Sequence, residues 1–254
     1  MITSAKNKGF SVSLFVVDEN EMPLTRLKHI IESRNIKYLL ISAPALIDVL
    51  PFDWEKFSTI VLSTRPLKQP FNRVTTSNYQ AISLLMKNIK RKGYNKPGFI
   101  IRKNIDQIQD SECSIAYMGL CKYLGFDDST PIFFTRESTP ISSYEKWFWK
   151  YQPDVIIQNS LTGITKEGPM SYREILDRFK NPMPARIGRC SLNANPDKEP
   201  ISGIIRNEQE IGYSAIELMT SMIERNTMGL PNHPKNLTIL SDWYEGETLP
   251  KKRR

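Results

Sequence analysis

The chain has 254 residues, more than a typical single domain, so its length fits one large α/β unit or two lobes, of which we favour two. With 40% hydrophobic and 24% charged residues, its composition is that of an ordinary globular protein and excludes intrinsic disorder. The formal charge of +8 suits nucleic acid, but the basic residues are scattered except at Lys90 to Lys92 and in the terminal KKRR. We therefore expect no direct DNA binding, and we predict that residues 250–254 form a solvated basic tail.

The sequence also argues against a membrane partner and against export. No apolar run approaches the roughly 20 residues that cross a bilayer. The first ten residues lack the apolar stretch of a secretory leader. The three cysteines, Cys113, Cys121 and Cys190, form no CxxC pair, which indicates neither a disulfide framework nor a structural zinc site. These features predict a cytoplasmic protein.

Short apolar runs alternate with helical periodicities along the chain, which predicts an α/β fold with parallel sheets. The predicted strands are 11–17, 37–42, 59–63, 97–101, 131–135, 154–158, 185–189 and 236–244. The predicted helices are 23–35, 78–92, 114–124, 142–151, 171–180 and 207–223. We expect a loop from residue 64 to about Thr76.

Two helices have clear start signals. Asn78 is predicted to cap its helix, and Gly93 is predicted to take the left-handed conformation that ends it. Asn207 and Glu210 resemble a capping box at the start of the last helix. An apolar stripe at helical spacing follows them and predicts the buried face of that helix, formed by Ile211, Ala215, Leu218, Met219, Met222 and Ile223.

No pattern of catalytic chemistry stands out. The two histidines, His29 and His233, occur in no metal-ligand spacing, and the chain contains no GxGxxG, GxxxxGK[ST] or GxSxG motif. The segment from Gly163 to Gly168 follows a predicted strand but carries an acidic residue that would repel phosphate. We therefore predict no enzyme activity, no metal and no cofactor.

Polar residues at strand ends are the physical candidates for a binding site, because ligands of open parallel sheets bind beyond the carboxyl ends of strands. Hydroxyl, amide and guanidinium groups at these ends would suit a hydroxylated or anionic small molecule. The same residue types also cap the helices that follow strands. The candidates are Ser42, Ser63, Arg65, Arg102, Asn159 with Ser160, and Arg189.

The C-terminal quarter, ISGIIRNEQEIGYSAIELMTSMIERNTMGLPNHPKNLTILSDWYEGETL, resembles the LacI/GalR family of transcription regulators. The pieces Gly229-Leu230-Pro231, Pro234-Lys235 and WYEGET carry the resemblance, and RVTTSNYQA, KGYNKPGFII and DVIIQNS extend it. The resemblance implies a periplasmic-binding-protein-like fold, with two doubly wound lobes joined by three crossovers and an effector in the cleft. It implies one lobe of 1–96 plus 206–233 and another of 97–205 plus 234–249.

The resemblance also bears on the site. It adds Asn78 and Arg206 to the candidate effector-binding residues. Cys113 stands where the family usually has a pocket arginine, Ser77 stands where an Asp usually precedes Asn78, and Cys190 falls where an aspartate is usual. These departures argue against a standard pyranose site. Because Arg189 and Arg206 would both approach the cleft, we hypothesise an acidic or phosphorylated effector.

The start of the chain, SAKNKGFSVSLF, looks like the end of the family's first helix and its second strand. The helix-turn-helix headpiece and the first strand are therefore expected to be missing, which would leave unpaired backbone groups on two neighbouring strands. The implied function is effector sensing and homodimerisation, with operator DNA contacted only through a headpiece. A stand-alone solute-binding protein of the same fold is the main alternative function, and an enzyme on this scaffold is a third possibility.

Overall fold

The computed structural model describes residues 2–17, 22–42, 48, 50–184 and 186–252, without the side chains of Thr3, Ser4 and Ile164. The chain divides into two compact units and passes between them three times. Unit 1 comprises Met1–Thr76 and Asn207–Ile239, and unit 2 comprises Ser77–Arg206 and Leu240–Arg254. Within the described ranges, no helix combines the length and apolar character needed to cross a bilayer.

Helices and strands are interspersed along the described residues, but they alternate less regularly than the sequence predicts. The helices are α1 (Ile2–Asn7), α2 (Leu24–Ser33), α3 (Asn78–Arg91), α4 (Lys103–Ile108), α5 (Glu112–Tyr123), α6 (Ile141–Tyr151), α7 (Tyr172–Asp177) and α8 (Glu208–Glu224). The strands are β1 (Tyr38–Ile41), β2 (Ser58–Val61), β3 (Asn72–Thr76), β4 (Pro97–Arg102), β5 (Phe133–Thr135), β6 (Val155–Gln158), β7 (Thr162–Thr165), β8 (Gly168–Ser171), β9 (Gly188–Ser191), β10 (Ser202–Ile205), β11 (Asn236–Ile239) and β12 (Asp242–Tyr244).

Unit 1 is built on a parallel sheet with the order β1-β2-β3-β11. The apolar stripe predicted for α8 packs against this sheet around Ile60 and Val74, both fully buried. In a separate apolar cluster of unit 1, Leu27 and Ile31 of α2 pack with Phe57. The burial of apolar surface from α8 and α2 therefore stabilises this sheet.

Strand β3 corrects the expected loop before Thr76. Its sequence, NRVTT, contains a single strongly apolar residue, so it gives no apolar run. It is nevertheless buried because it pairs in parallel with β2 on one side and β11 on the other. Asn72 also accepts the Lys235 backbone N–H at 2.8 Å. Tertiary pairing thus determines this strand, while its intrinsic propensity is weak.

The strand predicted at Ser11–Val17 joins no sheet in the part of the chain that the structure describes. Phe15 and Val17 pack with the α2 cluster, but Leu14 and Val16 are each 72% exposed. Alternate side chains of this segment therefore face opposite directions, and the apolar side chains that face away from the α2 cluster lie in solvent.

Unit 2 contains a sheet with the order β12-β10-β9-β6-β4-β5, in which only β12 is antiparallel to its neighbour. One apolar cluster contains side chains of α3 and α5, and a second contains side chains of α6 and α7. Alternate residues of β6 belong to the two clusters, Ile157 to the first and Ile156 to the second. The strand is therefore covered on both faces, which confirms the predicted α/β fold class.

Several boundaries in unit 2 differ from those predicted. The strand that we expected to end at Arg189 continues to Ser191, because its register with β6 pairs Ser191 with Gln158. An antiparallel hairpin, β7–β8, was not predicted. The Ser77 side chain, one residue before Asn78, caps α3 by accepting the Gln80 N–H at 3.1 Å.

Two more expectations are corrected around α8 and the last strand. The Asn207 side chain makes no cap hydrogen bond to α8, so the predicted capping box does not form. The strand expected over 236–244 breaks after Ile239, and its halves join the sheets of different units.

The boundaries between the two units also differ from the lobe boundaries that the resemblance implies. The first crossover was expected near Lys96 but follows Thr76, because α3 packs against α5 and thus belongs to unit 2. The third was expected before residue 234 but follows Ile239, because β11 pairs with β3. The second, expected near Ile205, follows Arg206.

The described part of the C-terminal tail is docked on unit 2, which corrects the expected solvated tail. Tyr94 donates a hydrogen bond to the Pro250 carbonyl at 2.9 Å. Lys252 Nζ lies 2.8 Å from Asp154 Oδ2 and 5.0 Å from the centroid of the Tyr94 ring. Arg253 and Arg254 fall outside the described residues.

The exposure of Leu14 and Val16 generates a first prediction. Replacing both with serine should change the free energy of unfolding by less than about 0.5 kcal/mol per residue, because both side chains are already in solvent. Ile60→Ala, in the buried centre of β2, should cost about 2–5 kcal/mol. Urea unfolding followed by circular dichroism measures both. A comparable loss in the serine variant would show that residues 11–17 belong to a buried strand.

A pair of glycines provides a second prediction. At Gly203, an added Cβ would lie 2.1 Å from the Ser191 carbonyl oxygen, and backbone in a paired strand cannot move aside. Gly203→Ala should therefore cost at least about 2–3 kcal/mol. Gly119 lies on α5 with no neighbouring atom in the way, so Gly119→Ala should stabilise the protein by about 0.5–1 kcal/mol. Melting temperatures that shift in the same direction would contradict the β9–β10 register.

Candidate functional site

The carboxyl edge of the unit 2 sheet collects polar residues. Because β4, β5, β6, β9 and β10 are parallel, the residues at their ends lie along one edge of the sheet. Register pairs Arg102 with Thr135 and Gln158 with Ser191, and Arg206 follows the end of β10. This edge therefore presents hydroxyl, amide and guanidinium groups in a row.

Several of these groups are buried without a hydrogen-bond partner among the described residues. Thr135, Tyr144 and Gln158 are each at most 1% exposed. The Thr135 hydroxyl, the Tyr144 hydroxyl and the Gln158 carbonyl oxygen have no partner at hydrogen-bond geometry. An ideal Cβ on Gly163, in the β7–β8 hairpin, would lie only 3.2 Å from the Tyr144 hydroxyl, so the hairpin backbone packs closely against this hydroxyl. An unsatisfied buried polar group costs roughly 1–3 kcal/mol, which a bound hydroxyl group or water would recover.

Tyr144 and the neighbouring Tyr172 stay protonated at neutral pH. Burial raises the pKa of Tyr144 to about 12. Burial and the neighbouring Tyr144 raise the pKa of Tyr172, and the positive charge of Arg102 acts in the opposite direction. The Thr135 hydroxyl interacts with both tyrosine hydroxyls, although at poorer geometry than a regular hydrogen bond, and this interaction lowers both pKa values. The hydroxyls can donate or accept hydrogen bonds, but they supply no base, so the arrangement is suited to binding.

Arg102 and Asn159 lie on neighbouring strands at this edge, as predicted. Arg102 ends β4, and Asn159 follows β6 with its N–H donated to the Ile100 carbonyl at 3.2 Å. Ser160, the next residue, donates its hydroxyl to the Thr162 carbonyl at 2.6 Å. Arg102 and Asn159 are thus placed together, while the Ser160 hydroxyl is engaged by its own loop.

Asn78 and Arg206 meet in a second polar cluster of unit 2. Arg206 Nη2 donates to Asn78 Oδ1 at 3.2 Å. Asn78 Nδ2 donates to Glu112 Oε2 at 3.0 Å and to Gln109 Oε1 at 3.4 Å. Asn78 is 1% exposed, so its amide connects α3, α5 and the end of β10 inside the unit. This geometry gives Asn78 a structural role in the described residues.

Cys113 lies beside this cluster, where the resemblance expects an arginine. Its thiol is 1% exposed and lies 3.8 Å from Gln109 Oε1. Burial raises its pKa to about 12, although Arg206 acts in the opposite direction. All three cysteines are buried free thiols, and within the described ranges no three His, Cys, Asp or Glu residues are placed to hold a metal. Cys113 is therefore a buried packing residue in this unit.

Arg189 lies elsewhere and does not approach Arg206. It is the second residue of β9, and its guanidinium lies 3.7 Å from Glu199 beside a separate cavity of about 520 Å³. The register places Arg189 opposite Ile201, so Arg206 is roughly 16 Å further along the neighbouring strand. The pair of arginines that suggested an acidic effector is thus not brought together.

The unit 1 candidates lie after β1 and β2. Ser42 directly follows β1 and is exposed. Ser63 accepts the Arg65 backbone N–H at 2.9 Å, and the Arg65 guanidinium lies 3.4 Å from Asp48. The Ser63 hydroxyl and the Arg65 guanidinium therefore hold the loop after β2, while Ser42 remains available to a ligand.

Sequence reasoning missed part of the edge. Thr135 ends a predicted strand, so the rule that selected Arg102 would also have selected it. Gln158 is one residue before the chosen Asn159. Tyr172 begins α7 and Tyr144 lies in the first turn of α6, and no local signal connects them to the edge.

The Asn78 cluster yields a third prediction. Asn78→Ala should lower the free energy of unfolding by about 1–3 kcal/mol, because Glu112 and Arg206 lose a buried partner. Chemical denaturation measures the change. Asn181→Ala, which removes an exposed amide, should change stability by less than about 0.5 kcal/mol. Equal stability of the two variants would mean that Asn78 has no structural role.

No protein-family model matches the sequence, and no curated protein matches it. Solved structures do match its fold. A putative transcriptional regulator LacI from Bacillus cereus subsp. cytotoxis NVH 391-98 is 15% identical, with a TM-score of 0.69 over 99% of this chain and 89% of that chain. A LacI family transcriptional regulator from Enterococcus faecium, with bound ribose, is 11% identical, with a TM-score of 0.72 over 99% and 92% of the two chains.

A third similar structure is the LacI family transcriptional regulator CCPA from Weissella paramesenteroides, with bound sucrose. It is 12% identical, with a TM-score of 0.70 over 99% of this chain and 92% of that chain. Identities this low establish the fold alone. The chain therefore has the periplasmic-binding-protein-like α/β fold of LacI-family transcriptional regulators, as the sequence resemblance predicted.

Proposed function

We propose that this chain is the effector-sensing part of a LacI-type transcription regulator and that it binds a sugar-like small molecule. The observation that carries the proposal is the set of buried polar atoms of Thr135, Tyr144 and Gln158 at the carboxyl edge of the unit 2 sheet, which make no regular hydrogen bond with the described residues. Sugar hydroxyls both donate and accept hydrogen bonds, so they are suitable partners for such atoms. Structures of the same fold contain ribose, glucose or sucrose.

Arg102 and Asn159 complete the proposed site from neighbouring strands. A guanidinium and an amide beside the buried hydroxyls provide the few oriented polar groups that fix a ligand in a small-molecule site. The ligand is a neutral sugar in this proposal, because Arg189 and Arg206 are not brought together to hold an acidic group. Ser42, Ser63 and Arg65 of unit 1 remain proposed contacts.

In this proposal, the protein is a cytoplasmic homodimer, and operator DNA is contacted by a headpiece outside these 254 residues. Sugar binding would shift the population of two arrangements and thereby change operator affinity. A stand-alone solute-binding protein would use the same pocket. An effect of sugar on DNA binding, measured when a headpiece is joined to the chain, distinguishes the two functions.

The fourth prediction uses Thr135. Thr135→Val removes a buried hydroxyl that makes no regular hydrogen bond with the described residues, so it should not destabilise the sugar-free protein and should raise its stability by up to about 1 kcal/mol. It should also weaken sugar binding about three- to tenfold, because a hydrogen bond to the ligand is lost. Isothermal titration calorimetry with ribose, glucose and sucrose measures binding, and thermal melting measures stability.

Thr130→Val is the matched control. Thr130 is 3% exposed and its hydroxyl also has no partner in the described ranges, but it precedes β5 at the opposite end of that strand. Its replacement should raise stability without changing sugar affinity. If none of the three sugars binds, the proposed ligand class is wrong. If both valine variants weaken binding equally, the proposed site is wrong.

A further inference from the structure

A second cavity in unit 2, of about 820 Å³, lies at the opposite end of the sheet. Its lining includes residues directly before β6 and β9, together with Tyr94 and the docked end of the chain at 250–252. Because β4, β6 and β9 are parallel, their amino ends face away from the edge that holds Arg102 and Gln158. The six residues of β4 alone separate the two edges by about 20 Å. This cavity is therefore distinct from the proposed sugar site.

One wall of the cavity is apolar and aromatic. Phe148 and Trp149, at the end of α6, pack edge to face with their ring centroids 5.3 Å apart. Ile187 contributes to the same lining. The indole Nε1–H of Trp149 is buried and has no hydrogen-bond acceptor in the part of the chain that the structure describes. The indole nitrogen is thus enclosed, and the wall presents to the cavity a flat apolar surface on which a ring can pack.

The mouth of the cavity carries excess positive charge. Arg186, Lys251 and Lys252 line it against a single carboxylate, that of Asp154, which leaves an excess of two positive charges. Asp154 is already engaged, because it accepts the Asn95 N–H at 2.8 Å and the Lys96 N–H at 3.0 Å and pairs with Lys252.

Among the described residues, the other two cations have no carboxylate partner. No carboxylate of the described residues lies within ion-pair distance of Arg186 or Lys251, and both residues are exposed. Their charges are therefore available to a ligand anion, and the arginine can hold a carboxylate through two parallel hydrogen bonds.

We propose that this cavity binds a small organic anion with a flat apolar body. Its carboxylate or phosphate contacts Arg186 and Lys251, and its ring packs on Trp149 and Ile187. The volume falls within the roughly 300–1,000 Å³ that is typical of small-molecule sites. A cavity lined by both aromatic rings and cations is better suited to a single aromatic anion than to an extended polymer.

The test is calorimetric titration of the 254-residue protein with naphthoate, which carries both a ring and a carboxylate. Naphthamide supplies the same ring without charge, and inorganic phosphate supplies charge without a ring. Naphthoate should bind at least tenfold more tightly than either. Because the probe is not a sugar, the result is independent of ribose, glucose or sucrose binding.

Charge-reversal variants locate the binding. Arg186→Glu should weaken naphthoate binding at least tenfold, and Lys251→Glu should act in the same direction. Arg136→Glu makes the same charge change at an exposed residue after β5, at the other edge of the sheet, and should change affinity less than twofold. Trp149→Leu removes the flat ring surface, so it should weaken binding about three- to tenfold.

Three results would overturn the proposal. Undetectable naphthoate binding at millimolar concentration would show that the cavity is not such a site. Equal affinity for naphthamide would show an apolar crevice without anion selectivity. An equal loss in Arg136→Glu would show a nonspecific effect of net charge. Thermal melts confirm that each variant is folded, and if Arg186→Glu fails to fold, Lys251→Glu decides, because its exposed side chain lies near the end of the chain.

Discussion

The parallel pairing of β4, β6 and β9 is the interaction on which the rest of unit 2 depends. Strand β6 pairs with both neighbours, so its backbone groups are used on both sides, and its four residues are buried. Apolar clusters cover both faces, and a register shift of one residue would exchange those faces. The same register aligns the strand ends. It therefore produces both the polar edge around Thr135 and Gln158 and the basic, aromatic cavity at the amino ends.

Sequence patterns predicted the elements that carry a strong apolar pattern of their own. Helix α8 carries a complete apolar stripe, and β4 and β6 are apolar runs bounded by polar residues, so their positions were predicted closely. Strand β3 was missed because its buried residues are mostly Thr and Asn, which become strand only through pairing with β2 and β11. Alternation over 11–17 predicted a strand, but alternation alone supplies no pairing partner.

The candidate site could be predicted only in part, for a similar reason. The rule that ligands bind at carboxyl ends of strands identified Arg102 and Asn159, because the ends of β4 and β6 follow from their apolar runs. It misplaced Arg189, because a charged residue interrupts a strand that register continues to Ser191. The buried hydroxyls of Tyr144 and Tyr172 come from helices, so only the packing of α6 and α7 reveals them. The Asn78–Arg206 contact likewise joins residues 128 positions apart.

The free side of β1 has a consequence for how the protein behaves at high concentration. Within the described residues, β1 pairs with β2 on one side only, and residues 11–17 nearby present Leu14 and Val16 to solvent. A strand edge and an alternating apolar segment are the two ingredients of sheet growth between molecules. Lysine is one of the residues with which natural edges block such growth, and Lys37 directly precedes this strand. Unit 1 thus offers other copies of the chain a surface for association that lies far in sequence from the polar edge and the cavity of unit 2.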